Sequence, residues 1–581
     1  MRRTKIVCTI GPASESPEVL EQMIRAGTDV ARFNFSHETQ EVHKRRMRLV
    51  TETAERVGAT VALMVDTKGP EIRLGRFEGG AARLRDGSEF VLSTDEVPGT
   101  AERAWVQYPG IVHDVVRGRQ IFLDDGNIVL EATAVGDTEI RCLVKSGGVI
   151  TDNKKVNLPG AVVSLPAVSE KDISDILLGI REGADFVAAS FVRKADDIHE
   201  IRRIIEQTGG DMHIIAKIEN AEGVENIDDI LAVADGLMVA RGDLGVEIPS
   251  EEVPLLQKTM IEKARRLGKP VITATQMLES MVAKPRPTRA EASDVANAIF
   301  DGTDALMLSA ETTVGKYPVE SVKMMATIAE RTERALNFTE LLVRRAETKA
   351  KSVTDAISHA TCTTAAELDA HAIITATQSG LTTRMVARYR PQAPVIAVTW
   401  SPRVQRKLAL VWGAKPVIME RADDSDALLE GAIGAALGSG LIKEGDMVVM
   451  TMGLPAWVTG TTNTVQVRTV GSIVLRGTGI GSKPATGRVR IYRSPADAVK
   501  FSPGDILVAV ATHGDLTPLI EKAGGVITEE GGLSSHAASV CVNLAVPAVV
   551  GAKGATVVLK QGTVVTIDPA AGLVYLGSAR V

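Results

Sequence analysis

The residues His213-Ile214-Ile215-Ala216-Lys217-Ile218-Glu219-Asn220 form an apolar run that ends in polar side chains and is followed by a helical pattern. A strand buried on both faces reads this way, because helices cover a parallel sheet above and below. The texture recurs in KIVCTIG from Lys5, DVARFNFS from Asp29, VALMVDT from Val61, FVAASFV from Phe186, GLMVARGD from Gly236, PVITATQ from Pro270 and ALMLSAE from Ala305. Eight such strands alternating with helices predict an α/β fold, a closed (β/α)8 TIM barrel rather than an open doubly wound sheet. The polar residues that end each run then fall at the barrel's carboxyl face, where such barrels carry their chemistry.

Working outward, the rhythm breaks between the third and fourth runs. Residues 71–167 carry short strand-like pieces and turns, Arg85-Asp86-Gly87 and Asp124-Asp125-Gly126-Asn127 among them, which predict an inserted β domain. The second turn could serve as a metal loop, but a hairpin is the simpler reading because no further ligand spacing follows it. The barrel is expected to occupy residues 1–70 and 168–344. HAIITATQSG, PVIAVTW, PVIME and DMVVMTMG then mark a second α/β domain over 345–472, and a Gly-rich unit of short strands fills 473–581.

The chain has 581 residues, which at about 150 residues per domain suits roughly four domains. Its net charge is -6 and only 3% of its residues are aromatic, which excludes a whole-chain polyanion binder and stacking platforms for nucleic acid. Cys8, Cys142, Cys362 and Cys541 lie far apart, so neither a disulfide framework nor a zinc site is expected and a reducing compartment is the better fit. The basic start meets too short an apolar run for a signal peptide, and the longest uncharged stretch is interrupted by polar residues. A soluble, cytoplasmic protein is expected, with no membrane and no nucleic-acid partner.

Lys217 and Glu219 are two apart and so share one side of a strand at its carboxyl end; Arg241-Gly242-Asp243 ends the next strand with a second carboxylate. Two carboxylates from neighbouring strands suit Mg²⁺ (or Mn²⁺), which keeps one or two protein carboxylates and fills its shell with water or substrate. Arg32, Asn34, Asp66, Thr67 and Thr275 end other runs, and together they suit a phosphorylated, carboxylated substrate. A lone Lys-x-Glu is more often a surface pair; convergence at several strand ends changes that reading.

The runs MVDTKGPEIR from Met64, IAKIEN from Ile215, MVARGDLG from Met238, TATQMLESM from Thr273 and KPRPTRAEASDVANAIFDGTDALMLSAETTVGKYP from Lys284 resemble pyruvate kinase, in order, and the likeness covers the first 470 residues. The resemblance implies phosphoryl transfer from phosphoenolpyruvate to ADP, giving ATP and pyruvate, and it implies roles residue by residue. Arg32 and Lys217 meet the phosphoryl group, and Lys217 steadies the enolate. Glu219 and Asp243 hold Mg²⁺, the N–H groups of Gly242 and Asp243 take the substrate carboxylate, and Thr275 helps protonate the enolate carbon. Asn34, Ser36, Asp66 and Thr67 match the K⁺ site, and Glu71 implies K⁺ dependence. His37, Arg73 and Lys194, with Asn34, meet the nucleotide. The inserted domain is implied to close as a lid, and the assembly to be a homotetramer.

One position departs from the family pattern: NKKVNLPG carries Lys155 where the family shows Gly, a residue that decorates the hinge or adds a cation near the nucleotide. Thr377, Ser379, Gly380 and Thr382, with GLPAWVTGTTNTVQV from Gly453, resemble the loop that takes a phosphorylated activator. TEEGGLSSHAASVCVNLAVPAVVG from Thr528 resembles the phosphohistidine domain of enzymes that use phosphoenolpyruvate, with His536 as the candidate phosphohistidine; a structural or regulatory role is the expectation there. Two other classes compete with the kinase reading, the first of them disfavoured by the presence of the full set Arg32, Asp66, Lys217, Glu219, Asp243 and Thr275. One is a phosphorelay or metabolite sensor on a degraded barrel, the other a metal-dependent lyase, and nucleotide binding separates the latter from the kinase.

Overall fold

The computed structural model describes residues 2–161, 163–346, 352–422, 424–453, 460, 462–471 and 473–579. The chain falls into two compact units, Met1–Asn337 with Pro402–Ala414, and Phe338–Ser401 with Lys415–Val581.

In the first unit, β1 (Lys5–Thr9), β2 (Val30–Asn34), β3 (Ala62–Asp66), β4 (Phe186–Ala189), β5 (His213–Ile218), β6 (Gly236–Ala240), β7 (Val271–Ala274) and β8 (Ala305–Leu308) pair in parallel and close into a barrel. These are the eight expected runs. Each side chain alternates between two apolar environments. Val7, Val30, Met64, Phe186, Ile215, Met238, Ile272 and Met307 pack with one another inside, while Ile6, Leu63, Val187, Ile214 and Leu237 pack outward with the helices. That double burial is why the strands read as continuous apolar runs.

The foot of the barrel has a fourfold device. Asp29, Asp185, Asp235 and Asp304 precede the even-numbered strands, and each carboxylate accepts the backbone N–H of Ile6, Leu63, Ile214 or Val271 on the preceding odd strand, at 2.8–3.1 Å. Each Asp N–H donates back to the carbonyl of that same residue. The carboxylate thus satisfies a strand-end donor that a parallel ladder leaves over. Pro402–Ala414 belongs to this unit although the sequence places it inside the second α/β pattern. Ala409 and Leu410 pack with the inner barrel residues, Arg406 pairs with Asp185 at 3.0 Å, and Lys407 pairs with Asp211 at 2.8 Å.

The insertion between β3 and β4 forms a six-stranded sheet and a two-stranded one with its own core. Asp124–Asn127 is the expected hairpin turn, joining antiparallel strands Gln120–Leu123 and Ile128–Val135, with Asp124 and Asp125 at φ 53° and 55°. Arg85-Asp86-Gly87 instead links strands of the two different sheets.

In the second unit a five-stranded sheet runs in the order 414–418, 395–399, 372–376, 447–453, 462–469. Four of these are the expected strands. The fifth, Thr462–Thr469, is an antiparallel edge strand whose alternating Thr, Asn and Gln conceal it in a sequence reading. An eight-stranded mixed sheet spans Ile473 to Leu576.

Candidate active site

The carboxyl ends of β2 to β7 bring most of the singled-out residues together. Asp66, fully buried, lies between two cations: Arg32 Nε donates to its Oδ2 at 2.5 Å and Lys217 Nζ to its Oδ1 at 3.0 Å. Lys217 also donates to Ser190 Oγ at 2.6 Å and stands 3.1 Å from Glu219 Oε1. Arg32 Nη1 is steadied by Thr9 Oγ1 at 2.8 Å. Burial opposes charge on Asp66, yet Arg32 and Lys217 hold its carboxyl below the ordinary value. Burial likewise opposes the Lys217 ammonium, but Asp66 and Glu219 raise it above the usual lysine value, so it stays charged.

Glu219 and Asp243, from neighbouring strands, are near enough that each acts on the other's charge. Burial pushes the Glu219 carboxyl up to about 7 against the pull of Lys217, with Asp243 adding to the rise. Two carboxylates this close call for a cation, and among the described residues no larger cage of His, Cys, Asp and Glu exists. The donor set therefore fits a hard divalent ion that draws its other ligands from substrate and water. The Glu219 carboxylate is oriented by the Phe191 N–H, which donates to Oε2 at 2.6 Å from a backbone at φ 55°.

Thr275 and Gln276 adopt φ 70° and 55° at the end of β7, a left-handed backbone that costs a β-branched residue energy and that surrounding structure must enforce. Arg241 supplies that support: Nη2 donates to the Thr275 carbonyl at 2.8 Å while the guanidinium pairs with Asp294 at 2.7 Å. The Gly242 N–H donates to Thr275 Oγ1 at 2.8 Å, so the two groups expected to meet one carboxylate are neighbours.

Asn34 and Asp66 are register partners on β2 and β3, and the Ser36 N–H donates to Asn34 Oδ1 at 3.2 Å, which gathers the expected monovalent-ion oxygens with buried Thr67 beside them. Arg73 pairs with Glu71 at 2.6 Å. His37 is exposed, and Lys194 is half exposed, 3.9 Å from Asp196. Neither touches the buried cluster. Lys155 is no mere hinge decoration: its ammonium meets the Asp243 carboxylate and lies 3.9 Å from Glu71.

Sequence reading passed over Ser190 and Thr9, although both are polar residues at the ends of quoted runs. It also passed over Arg241, quoted only as the residue before Gly242. The signal was present, but a hydroxyl at a strand end is too common to single out.

In the second unit, the Gly380 N–H donates to Thr377 Oγ1 at 3.0 Å, Gly380 takes φ 81°, and Thr382 Oγ1 lies 2.8 Å from Thr462 Oγ1. Ser379 is half-buried in the same turn. Residues 454–459 and 461 of the matching stretch lie outside the described residues. His536 opens a helix capped by Ser535, with Nδ1 3.0 Å from Thr512 Oγ1.

A closed barrel whose mouth holds buried Arg and Lys side chains against three carboxylates defines an enzyme for substrates that develop negative charge, phosphoryl groups above all. Residues 1–322 match the model of the pyruvate kinase barrel domain, 355–468 that of the pyruvate kinase alpha/beta domain, and 501–572 that of the mobile domain of PEP-utilising enzymes. The chain is 54% identical to a pyruvate kinase of Geobacillus stearothermophilus and 51% identical to one of Bacillus licheniformis, over the whole of each chain. A pyruvate kinase structure from Cryptosporidium parvum superposes with TM-score 0.77 at 38% identity, covering 81% of this chain and 96% of its own. The chain belongs to the pyruvate kinase family. It transfers phosphoryl from phosphoenolpyruvate to ADP, giving ATP and pyruvate. No helix among the described residues is long and apolar enough to cross a membrane.

Proposed function

We propose that the cluster at the barrel mouth performs this transfer with Lys217 at its centre. The observation that carries the reading is the Lys217 ammonium, buried yet held charged between Asp66, Ser190 and Glu219. A fixed cation in a water-poor site stabilises charge that develops on the phosphoryl and enolate oxygens without reorganising at the moment of reaction. Arg32, fixed by Asp66 and Thr9, meets the phosphoryl group from the other side. Glu219 and Asp243 hold Mg²⁺ or Mn²⁺, which when bound supplies further neutralisation of the same oxygens. The Gly242 N–H, which donates to Thr275 Oγ1, turns with that of Asp243 to the substrate carboxylate, and the Thr275 hydroxyl, whose own proton meets the Ala274 carbonyl at 2.6 Å, helps deliver a proton to the enolate carbon through water.

Asn34, Ser36, Asp66 and Thr67 hold K⁺, and the acidic Glu71 leaves the need for that ion in place. On the rim, His37, Arg73 and Lys194, with Asn34, meet the nucleotide, and the inserted domain (71–167) acts as the lid over the barrel (1–70 and 168–344). In the α/β domain (345–472), Thr377, Ser379, Gly380 and Thr382 take a phosphorylated activator, and a cytoplasmic homotetramer relays its binding. In the C-terminal unit (473–581) His536 acts structurally, its ring engaged by Thr512.

A coupled assay of pyruvate formation tests the assignment. Lys217→Ala is expected to fold with an unchanged circular dichroism spectrum and to lose about 10³-fold in turnover; retained turnover refutes its role. Omitting K⁺ should abolish most activity, and full activity in K⁺-free buffer overturns the K⁺ assignment.

A further inference from the structure

The inserted domain touches the barrel helix Arg241–Glu247 at two points in matched register. Lys155 and Asn157 are two apart on an extended segment and so point the same way. Asp243 and Glu247 are four apart on the helix and so share one face. The Lys155 ammonium meets Asp243 Oδ1, and Asn157 Nδ2 donates to Glu247 Oε1 at 2.9 Å. Lys155 stands 4.5 Å over the ring of Phe191, the residue whose N–H orients Glu219, and only 12% of its side chain is exposed. It faces three carboxylates, Asp243 in contact, Glu71 at 3.9 Å and Glu219 beyond, with Arg73 already paired to Glu71. A long cationic side chain whose ammonium lies over an aromatic face and against a carboxylate is built to neutralise that acid, and Asp243 has no other cation in contact among the described residues.

We propose that Lys155 is a built-in competitor for the divalent cation. Its ammonium neutralises the Asp243 carboxylate that would hold the metal, so metal entry is opposed until Lys155 withdraws and, through the adjoining Asn157–Glu247 bond, the inserted domain loosens. The proposal rests on the reading of Asp243 as a metal ligand. An ammonium and a divalent ion on one carboxylate repel each other, and in a partly buried site that repulsion weakens the hold of each. Metal binding and inserted-domain position are then linked, each weakening the hold of Lys155.

The test uses Mn²⁺ alone as probe, titrated into the full-length protein without substrates and read as loss of the free-ion electron paramagnetic resonance signal. Lys155→Gly, with the residue the family pattern carries here, and Lys155→Met, which keeps the stem without the charge, should both bind Mn²⁺ about tenfold more tightly than the parent. Lys155→Arg should bind it like the parent. Mn²⁺ affinity unchanged or weakened in both neutral variants overturns the proposal. Asp243→Asn separates the two claims: loss of Mn²⁺ binding there, with the Lys155 variants unchanged, leaves the metal reading standing and removes Lys155 from it. Retained Mn²⁺ binding in Asp243→Asn removes both.

Discussion

Asp66 and Asp185 are both fully buried carboxylates at strand ends of one barrel, and they do opposite work. At the mouth, Asp66 is shared by two buried cations and its carboxyl is held low. At the foot, Asp185 takes the Leu63 N–H and faces Arg406, whose side chain is one-third exposed; there burial prevails and raises the carboxyl. The foot repeats one arrangement four times, closing the strand ladder at each even strand. The mouth has no such repeat: Arg32, Asp66, Ser190, Lys217, Asp243 and Thr275 come from six successive strand ends, and positive φ at Phe191, Thr275 and Gln276 marks backbone bent to aim them. Repetition at one end secures the barrel, and asymmetry at the other makes it an enzyme.

Exchanging each carboxylate for its amide should break the comparison most strongly. Asp66→Asn is expected to cut kcat by about 100-fold, because both Arg32 and Lys217 lose the charge that orients them. Asp185→Asn should keep kcat per folded molecule within about twofold while losing about 1 kcal/mol of stability, since one of the two oxygens that accept from Arg406 Nε becomes an amide nitrogen that cannot accept. Steady-state rates paired with urea unfolding check both, and a stable but inactive Asp185→Asn would erase the distinction between the two ends.

The two carboxylates should also differ in the sign of their pH dependence. A carboxyl held low when folded contributes stability above its unfolded value of about 4 and loses it as pH falls. A carboxyl raised when folded contributes fully below that value and loses its contribution as pH rises through the folded pKa. The stability gap between parent and Asp66→Asn should therefore widen as pH rises from the acid range. The gap between parent and Asp185→Asn should narrow from about pH 4 upward. Urea midpoints over that range, without K⁺ or divalent ions, would show two slopes of opposite sign; slopes of one sign would mean that Arg406 outweighs burial at the foot.

Much of this was legible in the sequence. Double burial writes itself as unbroken apolar runs, so all eight barrel strands could be found, and the polar residue after each run located Lys217, Glu219 and Asp243. The foot was legible too and was missed: Gly27-Thr28-Asp29, Gly183-Ala184-Asp185 and Gly302-Thr303-Asp304 repeat one pattern before the even strands, and Ala234-Asp235 varies it. An Asp before a strand is read as a turn residue unless its register with the neighbouring strand is known. Pro402–Ala414 could not be assigned to the barrel unit, because its place depends on contacts with Asp185, Asp211 and Asp304, far away in sequence. Lys155 could be flagged as a departure, but only the two-point register with Asp243 and Glu247 gives it a partner.

The smallest effect should come from the rim. Lys194 opens the helix Ala195–Gln207 just beyond β4, its side chain 54% exposed and 3.9 Å from an Asp196 that is 81% exposed. A charge this accessible is screened by salt and ordered only when a partner arrives, which suits the proposed role of gathering the nucleotide rather than meeting the reacting atoms. Lys194→Ala should raise the KM for ADP about threefold at low ionic strength with kcat unchanged, and about 0.3 M salt should remove most of the difference. A fall in kcat that persists in salt would instead place the Lys194 ammonium against the transferring group, and the boundary between buried cluster and solvated rim would have to move outward to include it.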